Sequence, residues 1–473
     1  MRCPLHLAAR RFGDAPALIK SITDVSFEPD TATRKPDAVY RFWPGSKSIT
    51  GWSFQDWDRH AEALRPLVRG QGLLALQDPD NLPSAALLFA ALREGRPTLL
   101  LSRRLPPAEV KTICTHLGIA ALLAGPDIEI PILQPPPVTT PPEIPTGIST
   151  ILMTSGSSGA PRAVAHTAAA HLANAAGSDQ NIPFHTGHVW LRSLSLHHVG
   201  GLAMLFRSLH GGGAVAFPEE GVPLGAAAWA LSASHLSVVA TQLQRLLAEG
   251  PPPLSAVLVG GGPIPPVLVD RALAAGMPIH TTYGMTEMGS QVTTTPPEAG
   301  VGRLRTAGRP LPGREVCVAD DGEILVRGLP LMAGYLLPGG VLDRGCDEEG
   351  WYHTGDIGIL EDGGWLRVTG RKDLMFISGG ENIYPEEIER ALMGLDGVSA
   401  AVVVSVGDEK WGARPVAFVQ GTFEEGVLRA ALRERLAGFM VPDRIFAWPD
   451  DAPGWSGKPP RRWFTGCARA LVG

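Results

Sequence analysis

The sequence predicts an α/β protein in two parts: a large N-terminal domain of several subdomains over residues 1–371, and a small α+β domain over residues 372–473. Three observations carry this expectation. Short apolar runs of strand length alternate with amphipathic helical patterns through the first part, the alternation that builds a largely parallel sheet. Glycine-rich loops follow two strand patterns at their carboxyl ends, where open α/β sheets bind ligands. The pattern changes after Gly370, and a helix with its own start signals opens a separate unit of ordinary domain size. At 473 residues the chain is also too long for one core.

In chain order, residues 57–68 read as a helix with Ala61, Leu64 and Leu67 on one face, and residues 83–92 as a second. Residues 73–76 and 97–101 read as short buried strands, and the proline-dense stretch 125–146 as an extended connector. Two strand-to-loop transitions follow: residues 149–154 run into a glycine/serine loop, and residues 256–259 into Gly260-Gly261-Gly262. Beyond the boundary at residues 371–374, residues 385–395 form a helix with proline in the first turn. Glu386 and Glu387 sit at its positive end, and Ile388, Leu392 and Leu395 share a face. Strands at 398–406 and 415–419 and a helix at 427–436 complete the unit. No internal repeat is evident.

Composition narrows the function. With 44% hydrophobic and 19% charged residues the chain is globular, and 56 glycines with 43 prolines imply many turns. A net charge of −6 argues against a general binder of nucleic acid or anionic membrane. The five cysteines form no CxxC pair, so free thiols in a reducing compartment are expected rather than disulfides or a zinc site. The opening MRCPLHLAARRFGD places arginines where a signal peptide needs apolar residues. No apolar run approaches the roughly 18 residues of a membrane helix. The expectation is a soluble cytoplasmic protein, and a homodimer by the general frequency of two-fold enzymes alone.

Five segments carry chemistry. Thr154-Ser155-Gly156-Ser157-Ser158-Gly159-Ala160-Pro161-Arg162 offers backbone N–H groups and hydroxyls that can cradle phosphate, although it lacks the Walker A pattern and also reads as a flexible loop. Tyr283-Gly284-Met285-Thr286-Glu287 combines a ring that can stack on a base, a hydroxyl and a carboxylate fit for a hard cation. Asp356, at the end of Trp351-Tyr352-His353-Thr354-Gly355-Asp356, suits either a turn or the two hydroxyls of a ribose. Gly370-Arg371-Lys372-Asp373 followed by Ser378-Gly379-Gly380-Glu381-Asn382 reads as a hinge or linker. Trp455-Ser456-Gly457-Lys458 puts a lysine on a glycine-bearing loop.

Taken together and in this order, the segments resemble the adenylate-forming superfamily of acyl- and aryl-CoA ligases, peptide-synthetase adenylation domains and luciferases. The resemblance spans residues 12–458. It implies an N-terminal AMP-binding domain and a C-terminal lid that swings between two poses. It also implies two half-reactions: carboxylate and ATP give acyl-AMP and pyrophosphate, and coenzyme A then displaces AMP. By this resemblance Thr154, Ser155, Gly156, Ser157, Ser158, Gly159 and Arg162 hold phosphates. Gly260, Gly261, Gly262 and Tyr283 line the adenine pocket, Thr286 touches the α-phosphate, and Glu287 holds Mg²⁺. Asp356 and Arg371 bind ribose, Asp373 is the hinge, and Gly379 and Gly380 border the pantetheine path. Lys458 neutralises charge developing during adenylation.

Two departures stand out. Arg162 occupies a position where the family usually has lysine, keeping the charge but not the compact ammonium. The residues before Gly457-Lys458 lack the usual Arg-Thr.

Several segments, among them 163–167, 193–201, 241–247, 308–316 and 378–387, look like the o-succinylbenzoate–CoA ligases of menaquinone biosynthesis. Such a substrate keeps a second carboxylate, which calls for a cation in the pocket. Arg245, beside Leu243 and Leu246, is the candidate, with a solvated helix arginine as the alternative. His198 stands beside the acyl pocket by resemblance, Ser195, Gly200 and Ser290 are candidate walls, and His197 is structural or partly exposed. A zinc site from His197, His198 and His210 has no supporting ligand spacing. Three other readings remain open: a ligase for another aryl or acyl acid, transfer to a carrier-protein thiol, and a weakly active nucleotide-binding regulator.

Overall fold

The computed structural model describes residues 3–24, 39–41, 47–77, 79–124, 145–154, 161–250, 252–453 and 460–472. The predicted connector therefore falls almost wholly outside the described residues, as do Ser155 to Gly159 of the phosphate loop and Lys458.

Among the described residues the N-terminal part builds three sheets. The largest runs, in spatial order, Arg309–Pro310, Ser290–Thr294, Ile279–Met285, Ala256–Val259, His235–Val238, Val189–Leu191, Ala214–Ala216, Pro16–Asp24, Lys47–Ser53 and Val39–Arg41. From Ile279–Met285 to Pro16–Asp24 the strands are parallel, so the loops at their carboxyl ends open on one edge. The second sheet runs Leu342–Asp343, Gly334–Leu336, Arg162–Thr167, Ile148–Thr154, Thr98–Leu101, Leu73–Gln77 and Ile119–Ala124. Leu99, Leu100 and Leu101 are all buried, which is why this strand reads as a continuous apolar run. Arg314–Val318, Glu323–Gly328, Tyr352–Glu361 and Trp365–Arg371 form a third, antiparallel sheet.

The helix expected at 57–68 is two helices. Phe54–Ala63 starts on a capping box, in which Ser53 Oγ accepts the Asp56 N–H and Asp56 accepts the Ser53 N–H. It stops before Arg65–Val68 because Pro66 has no N–H to close onto Glu62. The helix expected at 83–92 is Leu82–Arg93, opened by Asn81, whose side chain accepts from Ser84 N at 2.8 Å.

After Arg371 a hairpin of Phe376–Ser378 and Glu381–Ile383 leads into helix Pro385–Met393. A three-stranded sheet of Val398–Asp408, Gly412–Gly421 and Arg444–Ala447 follows. Helices pack on both of its faces. Val403, Ala417 and Val419 meet Pro385–Met393 and Glu425–Arg433, while Val402, Val416 and Phe418 meet Phe464 of helix Arg461–Val472. The two parts touch where Arg390 donates to the carbonyls of Val368 (3.2 Å) and Thr369 (3.3 Å).

Candidate active site

The site forms where the second and third sheets meet, around a cavity of about 510 Å³ lined by Arg162, Tyr335, Tyr352, Thr354, Arg371 and Asp373 among others. On one side, adjacent strands of the third sheet place Asp356 opposite Arg371. Arg371 donates to Asp356 Oδ1 (3.1 Å), to the Thr354 carbonyl (2.8 Å) and to Asp373 Oδ1 (2.9 Å). Burial opposes the charge on Arg371, but Asp373 and Asp356 outweigh it and raise its pKa. From the first sheet Tyr283 donates its phenol to Asp356 Oδ2 at 2.6 Å. Burial, with Asp356 beside it, lifts the Tyr283 pKa well above the usual range, so it remains a donor. Gly260 lies flush against the same strand: a Cβ there would stand 2.5 Å from Thr282 Cγ2. Gly261 and Gly262 follow it in the loop at the carboxyl end of the neighbouring strand Ala256–Val259.

The strand ending in Met285 turns through Thr286–Met288 into Ser290–Thr294. This turn is tight. A Cβ on Gly284 would stand 2.2 Å from the Ser290 carbonyl, and Ser290 itself holds φ at 131°, a strained value for a residue with a side chain. Glu287 is thereby held buried, 7% exposed, behind the cavity-lining Tyr335. Its Oε1 accepts from the Tyr335 phenol at 2.8 Å and lies 4.0 Å from Arg162 Nη2. Thr154 ends the strand opposite Arg162 across the loop they bracket. Beneath the turn His166 Nε2 meets the Thr286 carbonyl at 2.7 Å. A carbonyl only accepts, so Nε2 carries the proton. Burial lowers the His166 pKa to about 4, leaving the ring neutral at pH 7.

The second cluster precedes helix Val199–Gly211. Ser195 Oγ donates to Asp80 Oδ2 at 2.5 Å and accepts from His197 Nδ1, and Leu196 N donates to Asp80 Oδ1 at 2.7 Å. Since the carboxylate takes the serine proton, His197 must carry its own on Nδ1. Burial, and His198 next to it, lower the His197 pKa to about 4 against the pull of Asp80. His198 begins the helix and is exposed. Gly200 lies in the helix's first turn, against Leu194, while His210 stands at the far end beside Asp179. Asp80 was not foreseen in the sequence. Asp80→Ala is expected to cost about 1.5–3 kcal/mol of stability, the worth of hydrogen bonds to a charged group. Chemical denaturation reads this, and an unchanged midpoint would show that the turn holds itself.

Arg245 requires correction as the pocket cation. Helix Ala240–Glu249 turns Leu243 and Leu246 into the core, which leaves Arg245 exposed on its outer side. A buried cation near Ser290 is Arg207, on helix Val199–Gly211 and 3% exposed. Its Nη2 donates to Gln291 Oε1 at 2.7 Å, next to Ser290, and its guanidinium lies over the Trp190 ring at 4.7 Å. Nε and Nη1 have no acceptor. Burial, with Arg314 adding repulsion, lowers its pKa to about 9, so it is charged at pH 7. Arg314 is the structural one of the pair, donating to the carbonyls of Gln291, Pro312 and Asn174.

Gly379 and Gly380 form the tip of the C-terminal hairpin, where Gly379 N donates to the Trp411 carbonyl at 2.9 Å. Their described contacts lie within that domain. No helix among the described residues is long and apolar enough to cross a membrane.

The family model for AMP-binding enzymes matches residues 126–336, and that for the AMP-binding enzyme C-terminal domain matches residues 387–454. A 2-succinylbenzoate–CoA ligase of Geobacillus kaustophilus is 37% identical over 65% of this chain and 66% of its own length. One from Listeria monocytogenes is 32% identical over 80% of this chain and 85% of its own. Two structures of o-succinylbenzoate coenzyme A synthetase from Bacillus subtilis superpose with TM-scores of 0.80. The one with the acyl-adenylate intermediate is 26% identical, covering 98% of both chains. The one with ATP and magnesium is 25% identical, covering 98% of this chain and 99% of that one. By this identity and coverage, and with Tyr283, Asp356 and Arg371 joined by hydrogen bonds beside a cavity lined by Arg162 and Arg371, the chain belongs to the AMP-binding, adenylate-forming enzymes, among the relatives of the 2-succinylbenzoate–CoA ligases.

Proposed function

We propose that the protein joins 2-succinylbenzoate to coenzyme A at the expense of ATP, through an acyl-adenylate. The observation that carries this reading is that residues distant in sequence meet around one cavity: Arg162, Tyr335 and Arg371 line it, Asp356 and Tyr283 are bonded behind Arg371, and Glu287 behind Tyr335 and Arg162. Carboxylates are poor electrophiles, so one carboxylate of the acid attacks the α-phosphorus of ATP and pyrophosphate leaves. The thiolate of coenzyme A then attacks the acyl carbon and AMP leaves.

Tyr283 and the Gly260–Gly262 loop form the adenine wall, and Asp356 with Arg371 takes the ribose. Arg162 and Thr154 bracket the loop that, by resemblance, holds the phosphates. Thr286 points to the α-phosphate. A single buried carboxylate completed by phosphate oxygens is a donor set that suits Mg²⁺, and Glu287 supplies that carboxylate. A metal ion held there would supply positive charge to the phosphate oxygens. Lys458 neutralises the reacting oxygens during adenylation. Ser195, Gly200, Ser290 and the exposed His198 border the acid, and Arg207 faces its second carboxylate. Residues 372–473 swing about Asp373, bringing Gly379 and Gly380 to the pantetheine in the second step. The reading carries a cytoplasmic location, where ATP and coenzyme A are made available, and a homodimer that sizing by light scattering checks.

ATP–pyrophosphate exchange with Mg²⁺ tests this function. Exchange is expected with 2-succinylbenzoate and not with benzoate or a medium-chain fatty acid, followed by thioester formation with free coenzyme A. Exchange with another acid alone would keep the chemistry and overturn the substrate. Thioester formed only on a carrier protein would overturn the acceptor.

A further inference from the structure

We propose that Tyr335 is a positioning residue that joins the carboxylate of Glu287 to the guanidinium of Arg162, and that its ring is what allows an arginine to serve at position 162. The proposal rests on the ligase reading above and concerns how this chain holds its phosphate and metal side.

The strand Gly334–Leu336 pairs antiparallel with Arg162–Thr167, with Tyr335 opposite Val164. Arg162 is two residues from Val164, so it lies on the same face as Tyr335 and diagonal to it, within reach of a long side chain. The guanidinium uses that reach: its Cζ lies 4.4 Å from the Tyr335 ring centroid. A planar, weakly hydrated guanidinium stacks on an aromatic face, whereas an ammonium is a strongly hydrated point charge. The same tyrosine extends past the cation to Glu287. Its phenol donates to Oε1 at 2.8 Å, the oxygen that lies 4.0 Å from Arg162 Nη2. That donation uses the only phenolic proton, so in the 2.7 Å contact with Tyr352 it is Tyr352 that donates. A directed chain results, Tyr352 to Tyr335 to Glu287, with Tyr335 only 5% exposed. One side chain therefore sets two groups that address opposite charges on the same ligand: the carboxylate for the metal ion and the cation for the phosphates.

The experiment measures dissociation constants for ATP with and without Mg²⁺ by calorimetry, alongside pyrophosphate exchange, in the full-length protein. Tyr335→Phe keeps the ring and removes the hydroxyl. It should weaken Mg²⁺–ATP about tenfold and leave metal-free ATP within about twofold of wild type. Tyr335→Leu removes the ring as well and should weaken metal-free ATP about threefold to tenfold. Arg162→Lys should cost about the same in the wild-type background and less than about twofold in the Tyr335→Leu background, because the stack it loses is already gone. Thermal melting of Tyr335→Phe close to wild type shows that the effect is not unfolding. Wild-type Mg²⁺ dependence in Tyr335→Phe, or additive losses for Arg162→Lys and Tyr335→Leu, would overturn the proposal while the ligase reading stands. A wild-type protein with neither Mg²⁺–ATP binding nor exchange would overturn both.

Discussion

Glu287→Gln should lower pyrophosphate exchange about 100- to 1,000-fold, the usual cost of removing one preorganised charged contact from the reacting phosphates, with little change in melting temperature. The substitution is nearly isosteric. Its amide oxygen can still accept from the Tyr335 phenol, so the turn Thr286–Met288 keeps its anchor. The turn is also held independently by His166 on the Thr286 carbonyl and by the Met332 N–H on the Glu287 carbonyl. Only the negative charge is lost. A neutral amide is a poor ligand for Mg²⁺, which favours carboxylate and phosphate oxygens. Arg162 also loses the carboxylate 4.0 Å from its Nη2. The apparent Mg²⁺ requirement should therefore rise together with the fall in rate. A large loss in rate with an unchanged Mg²⁺ requirement would place the metal ion elsewhere.

The nucleotide side of this site was legible in the sequence because its residues travel in short motifs fixed by strand geometry. Asp356 and Arg371 are paired across neighbouring strands, so local pairing brings them together once the hairpin forms. Glu287 follows Tyr283 by four residues through a single turn. The acid side was less legible, since it is assembled from long-range contacts with no local signal. Asp80 meets Ser195 across more than a hundred residues, and nothing near either one announces the pairing. Arg245 lies beside Leu243 and Leu246 in sequence, yet each step along a helix turns the side chain about 100° away from its neighbour's face, so it is exposed where they are buried. Arg207 carried the stronger signal. It is the sole charged residue in the run Leu202-Ala203-Met204-Leu205-Phe206-Arg207-Ser208-Leu209, and a cation inside an apolar helix demands an explanation. Among the fold elements, the helix at 57–68 failed on Pro66, a breaker plainly visible in the sequence but outweighed there by apolar spacing.

Arg207→Met separates binding from architecture, because its effects on substrate and on stability should run in opposite directions. The guanidinium is buried with Nε and Nη1 unpartnered, and among the described residues it makes no salt bridge. Burial lowers its pKa to about 9, below the value in an unfolded chain, so the folded state binds the proton less tightly. At neutral pH the charge therefore costs the folded chain stability, and this cost disappears only as pH rises through that pKa. An apolar residue of similar length removes the cost, so the melting temperature should equal or exceed that of wild type. The price appears with substrate. If the second carboxylate of 2-succinylbenzoate sits against this cation, losing a desolvated charged hydrogen bond should weaken the acid by about 2–3 kcal/mol, or roughly 30- to 150-fold in KM. The KM for ATP should not move, since the residue lies away from Asp356 and Arg371. Arg207→Lys keeps the charge without the planar fork and should fall between the two. A loss of stability in Arg207→Met with no change in the KM for the acid would make Arg207 a core residue paired with Gln291, and the second carboxylate would need another partner.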